Sequence, residues 1–124
     1  MIRVVRLGTP RQPGEGLRLG TVRRPPRGVK KQDYAARDFY DVWVPELAPS
    51  PTLFSWIKSR PLTDANWYSR RYLAEMRRPE ARRLIELLAR FSLQAEFSVG
   101  CYCADETRCH RSLLRDLLWK PGPL

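Results

Sequence analysis

Histidine occurs once in this 124-residue chain, cysteine three times, and no apolar run approaches the roughly 18 residues that a membrane span requires. Three cysteines, an odd number, make no disulfide framework, and the compartment they imply is a reducing cytoplasm. Acidic residues are scarce too, with 13 Asp and Glu against 23 Lys and Arg, a formal net charge of +10. The opening Met1-Ile2-Arg3-Val4-Val5-Arg6 breaks its hydrophobic residues with arginine and does not read as a secretory signal. A membrane protein, a disulfide mini-protein and a repeat array are thereby excluded. What is present suits a folded core: 43% apolar residues and 10% aromatic, four tryptophans among them. The length suits one domain and leaves little room for two.

The basic excess is uneven. Up to residue 62 there are 12 basic and 5 acidic residues, and beyond it 11 and 8, with most of the surplus between Arg18 and Arg37. A positive surface concentrates polyanions and speeds their association, so a phosphate-bearing ligand or nucleic acid is the partner that this charge implies. The plainer explanation is composition and solubility.

Ile2 to Leu7 is β-branched and free of breakers until Gly8-Thr9-Pro10, and predicts a first strand. Leu17 to Val22 alternates and predicts a weaker second one, with Leu17, Leu19 and Thr21 on one face and Arg18 on the other. Arg23-Arg24-Pro25-Pro26-Arg27-Gly28-Val29-Lys30-Lys31 admits no regular element and forms an exposed basic loop after that strand. Phe39 to Val44 predicts a strand stopped by Pro45. Ser50-Pro51 starts a helix to about Ser59, with Leu53, Trp56 and Ile57 on one face. Asp64 can cap a helix to about Arg78, with Trp67, Tyr68, Leu73 and Met76 inward. Pro79 begins another, whose Ala81, Leu84, Ile85 and Leu88 recur at helical spacing. Ala95 to Cys103 predicts the most buried strand, followed by a last helix carrying Leu113, Leu114, Leu117, Leu118 and Trp119. Strands alternating with amphipathic helices predict a single small three-layer α/β domain over residues 1–124, mainly parallel sheet flanked by helices.

All the cysteine and histidine falls in one segment, Gly100-Cys101-Tyr102-Cys103-Ala104-Asp105-Glu106-Thr107-Arg108-Cys109-His110-Arg111-Ser112, where a strand ends and a helix begins. Ligands bind at that place in open α/β sheets, and a helix N-terminus suits an anion. Cys109 beside His110 and Arg111 has the surroundings that make a thiolate nucleophilic or redox-active, and Cys101 or Cys103 is the thiol that would pair with it. Zinc on Cys101, Cys103, Cys109 and His110 is disfavoured, because Cys-x-Cys within a strand diverges and adjacent helical residues point apart. A phosphatase loop needs Cys-x₅-Arg. The sixth residue after Cys103 is Cys109 and after Cys101 is Thr107, so that reading fails on spacing. Buried, inert cysteines are the alternative to all of these.

The candidate catalytic residues are therefore Cys101, Cys109, His110 and Arg111, and the candidate anion-binding residues are Arg23, Arg24, Arg27 and Arg111; neither metal nor cofactor is implied. His110 has an ordinary pKa near neutrality and suits general acid–base work, with Asp41, Asp105 or Glu106 as carboxylate partner. Trp67, Tyr68, Arg70 and Arg71 form an alternative stacking and phosphate surface for non-catalytic nucleic-acid binding.

Three stretches carry a resemblance: Arg23-Arg24-Pro25-Pro26-Arg27-Gly28-Val29; Trp43 with Glu46-Leu47-Ala48-Pro49-Ser50; and Cys-x₇-Cys-His-Arg, filled by Cys101, Cys109, His110 and Arg111. Together they resemble the uncharacterised YeaO-like family, domain of unknown function 488, across nearly the whole chain. The resemblance implies a small cytoplasmic α/β protein with no established activity. It also implies that Cys101 and Cys109-His110-Arg111 work as one unit facing the basic loop.

Overall fold

The computed structural model describes residues 2–59, 65–102 and 110–119, with backbone alone for 56–59, 65–67, 112 and 119. Four parallel strands form one sheet: β1 (Ile2–Arg6), β2 (Leu17–Gly20), β3 (Val42–Trp43) and β4 (Phe97–Cys101), in the order β1-β4-β2-β3. β4 lies between β1 and β2 and is buried at every position, as expected of a parallel strand covered on both faces. Among the described residues lie four helices, α1 (Pro51–Ser59), α2 (Ala65–Met76), α3 (Pro79–Phe91) and α4 (His110–Trp119), while Asp64, the expected cap of α2, lies outside those residues. Ser50 caps α1, its Oγ accepting the Leu53 amide at 3.1 Å while donating to the Glu75 carboxylate of α2. Prolines occupy the first turns of α1 and α3, where the missing donor costs nothing.

Register decides what each sheet face meets. Ile2 pairs with Phe97, and Val99 with Val4 on one side and Leu19 on the other, so these side chains share one face. Ile2, Phe97, Val99 and Leu19 pack with Leu53, Tyr72, Met76, Ala81, Ile85, Leu114 and Leu118, which come from all four helices. The other face carries Val5, Gly100 and Gly20 in register. Its cover is loop: Leu7, Val22 and Tyr40, with Tyr34 and Phe39 beside them. The third layer of this α/β domain is thus irregular chain around a 3-10 turn at Lys31–Asp33, while the helices lie together on one side. Two glycines let that chain approach. A Cβ on Gly20 would lie 2.3 Å from the Tyr40 ring, and one on Gly100 2.6 Å from a Leu7 methyl.

Two sequence expectations are corrected here. Phe39 to Val44 is a strand only at Val42–Trp43. Asp38 adopts a left-handed φ of 63°, and Tyr40 folds over Gly20 instead of extending. The Asp41 carboxylate is occupied by the Arg11 guanidinium and the Arg18 amide. Second, β2 ends at Gly20, with Leu17 exposed and Arg18 only 1% exposed. The Arg18 guanidinium donates to Glu15 at 2.7 Å and to the carbonyls of Thr9, Asp38 and Pro10. Part of the expected basic surface is therefore an internal strut that holds the loop layer against the sheet.

Candidate functional site at the carboxyl rim

Because every strand is parallel, all four carboxyl ends open on one rim, where ligands bind in sheets of this kind. β4 brings Cys101 to it, the chain leaving β2 brings Thr21, and α4 begins there with His110 and Arg111. The Thr21 amide and hydroxyl both donate to the Gly100 carbonyl at 3.0 Å, locking the two strand ends together.

His110 is 5% exposed, its Nε2 lying 2.5 Å from the Thr21 carbonyl and 3.3 Å from the Thr21 hydroxyl, with the Tyr72 ring centred 5.4 Å away. A carbonyl only accepts, so Nε2 carries a proton. Burial pushes its pKa down to about 4, the Thr21 carbonyl opposing and Arg111 reinforcing the shift. His110 thus fastens the start of α4 to Thr21, the residue that follows β2. Tyr72 supports this from α2, wholly buried and donating to the Leu47 carbonyl at 2.7 Å.

The buried Arg111 guanidinium turns to the same rim. Its Nη1 donates to the Val5 carbonyl at 3.0 Å and reaches the Cys101 carbonyl at 3.5 Å and the Cys101 Sγ at 3.7 Å. Cys101 is 2% exposed and disulfide-bonded. A fixed cation beside sulfur favours the thiolate when that sulfur is reduced. Cys103 and Cys109, and the carboxylate candidates Asp105 and Glu106, lie outside the described residues. Asp41, the remaining carboxylate candidate, serves Arg11 and Arg18 instead.

The basic loop meets the rim through its backbone. Tyr102, next to Cys101, donates its hydroxyl to the Arg24 carbonyl at 3.0 Å, and Trp43 donates its indole N–H to Val22 at 2.8 Å. The three guanidinium groups have different fates. That of half-buried Arg23 bonds the Pro49 and Ala48 carbonyls, at 3.0 and 3.4 Å, and so serves the entry to α1. Arg24 and Arg27 are exposed and take part in no ion pair among the described residues. Of the four candidate anion-binding arginines, Arg23 and Arg111 thus hold backbone carbonyls and sulfur, while Arg24 and Arg27 are exposed. Thr21, Tyr72 and Tyr102 were not foreseen as site residues. Tyr72 carries the one available sequence signal, lying four residues after Tyr68 on the same helical face.

On the alternative stacking surface of α2, Arg70 and Arg71 are exposed and Tyr68 is partly buried. Tyr68 stacks on Tyr72 with centroids 6.3 Å apart and packs against the core. The Trp67 side chain lies outside the described part. Among the described residues, no three His, Cys, Asp or Glu side chains gather as a metal site, and no helix is long and apolar enough to cross a membrane.

Residues 2–122 match the family model DUF488-N3a, described as the active DUF488-N3 subclade. No curated protein and no solved structure matches the chain.

Proposed function

The chain belongs to the YeaO-like DUF488 family, and from that premise we propose that it is a cytoplasmic enzyme or binding protein for a phosphate-bearing ligand: a nucleotide, another phosphorylated small molecule or a nucleic-acid end. Arg24 and Arg27 receive the phosphate, and Cys101 is the reactive group beneath it. Arg111 positions and polarises the sulfur, His110 positions α4, and Cys109 is the second thiol of the same unit. The observation that carries this reading is the buried Arg111 guanidinium 3.7 Å from Cys101 Sγ at the carboxyl end of the central strand. Low-pKa cysteines are made by such neighbours, and parallel-sheet ligands sit at such an end.

The test is protection. In protein reduced with dithiothreitol, adenosine 5′-monophosphate should slow alkylation of Cys101 by iodoacetamide. Replacing both loop arginines (Arg24→Ala with Arg27→Ala) should weaken its binding at least tenfold and abolish the protection. Alkylation indifferent to millimolar nucleotide would reject the site.

A thiol redox sensor is the second reading, favoured by the disulfide on Cys101. A hydroperoxide would oxidise one thiolate to a sulfenic acid and release the reduced alcohol or water. A second thiol would then displace water to close the disulfide. Peroxide treatment of reduced protein should therefore lower the free-thiol count by two, with Cys101 in the new linkage by peptide mass mapping. An unchanged count would dispose of this reading.

A further inference from the structure

Trp43 ends β3, an edge strand, and is 42% exposed. One exposed apolar side chain is ordinary, so exposure alone says nothing. Its placement says more. In register with Gly20, it stands at the carboxyl rim, where the parallel strands open. The indole N–H donates to the Val22 carbonyl at 2.8 Å, which holds the ring in one orientation beside the residue that leads into the basic loop. Three consecutive residues there are fastened: Val22 by Trp43, Arg23 through its guanidinium to Pro49, and Arg24 by the Tyr102 hydroxyl on its carbonyl at 3.0 Å. Arg24 lies two residues past Val22, so their Cα atoms are at most about 7 Å apart. The exposed Arg24 side chain thus leaves a fixed backbone close beside a fixed, exposed indole.

We propose that the Trp43 ring is the stacking platform for the base of a nucleotide whose phosphate is received by the basic loop at Arg24 and Arg27. This rests on the phosphate-site reading above and narrows its ligand from any phosphorylated molecule to one that carries a nucleobase. Every base presents a π face, so stacking on tryptophan is tolerant of base identity, and a ring already immobile loses little freedom on binding. The indole has a single donor and spends it on Val22, so what the side chain offers a ligand is its π surface and not a hydrogen bond. The neighbouring charge supplies the other half of recognition. From residue 23 to residue 31 the loop carries Arg23, Arg24, Arg27, Lys30 and Lys31 and no acid, a field that concentrates phosphates at the same rim.

The experiment uses the whole reduced chain and two probes, adenosine 5′-monophosphate and ribose 5-phosphate, which keeps the sugar and phosphate and lacks the base. Calorimetry should show the parent binding the nucleotide about fivefold or more tighter than the sugar phosphate. Trp43→Ala should bring the nucleotide down to the affinity of the sugar phosphate and leave that of the sugar phosphate unchanged. Trp43→Phe keeps an aromatic face and should retain part of the difference. The nucleotide should also quench the tryptophan fluorescence of the parent, with most of that quench gone in Trp43→Phe, a readout of ring contact that does not depend on how well the alanine variant folds. Equal affinity of the parent for the two probes, or a quench undiminished in Trp43→Phe, overturns the stacking platform and leaves the anion site standing. Binding of neither probe to the parent overturns both. A 5′-phosphorylated adenylate tetramer tells the sources of the nucleotide apart: tighter binding than the monophosphate assigns the end of a nucleic-acid strand, and binding no tighter assigns a free nucleotide.

Discussion

Replacing Arg18 by methionine should lower stability by about 3–5 kcal/mol, the range for removing one partner of a buried ion pair. A chain of this size has only about 5–15 kcal/mol in total, so thermal unfolding should fall by about 10–20 °C. The mechanism is the charge left behind. Glu15 is buried with Arg18, and its second oxygen accepts the Gln12 amide, so it has no route to water. The carbonyls of Thr9, Pro10 and Asp38 lose their donor in the same stroke. Removing Glu15 as well (Arg18→Met with Glu15→Leu) should recover part of the loss, because an apolar pair of similar volume spares the desolvation. Urea denaturation of the two variants checks this; equal stability of Arg18→Met and parent would show the pair to be idle. The hydrogen bond from Arg18 holds the Glu15 carboxyl below its ordinary range. Its contribution is thus complete above the ordinary carboxylate pKa and lost as pH falls through the lower folded value.

The second large effect belongs to His110 and has a different window. Burial takes its pKa from 6.5 to about 4, so the unfolded chain binds a proton that the folded one refuses between those values. Stability attributable to this neutral imidazole is therefore fully present above 6.5 and drains away as pH falls toward 4, by about 3 kcal/mol at the end of the range. Urea midpoints taken from pH 7 to 4.5 should fall for the parent and stay nearly level for His110→Gln, whose side-chain amide can still donate to the Thr21 carbonyl. Parallel slopes for the two proteins would contradict the burial of a neutral ring. The Glu15 loss begins only below 4.5, near the foot of this window, so most of the His110 loss precedes it along the pH axis.

Local signals account for what was legible. β1, β4, the Ser50 cap and the amphipathic stripe of α3 all follow from short-range pattern: β-branched runs, Ser before Pro, and apolar residues at helical spacing. The strand-to-helix junction holding Cys101 and His110-Arg111 was visible for the same reason. What stayed hidden depends on partners distant in sequence. Arg18 alternates like any solvent-facing arginine, and only the return of residues 9–15 and Asp38 encloses it. Tyr40 and Phe39 look like strand residues by propensity, but the open face of a four-stranded sheet claims them as cover. His110 looks like a titrating group until a carbonyl 89 positions earlier is found against its Nε2. Composition reports how many arginines exist, not which ones already have carbonyls to bond.

The strand order has a consequence for how the molecule is made. β1 and β2 arise near the start of the chain, yet neither touches the other; each is completed by β4, whose paired residues come 95 positions after those of β1 and 80 after those of β2. A nascent chain emerging from the ribosome therefore carries two unpaired strand edges through most of its synthesis, and the sheet can knit only once Phe97–Cys101 has cleared the exit tunnel. Folding dominated by such non-local pairing is slow, and the waiting edges invite other chains. Arginines at positions 3 and 6 of β1 and at 18 of β2 place repelling charge on both edges during that interval, which discourages premature self-association.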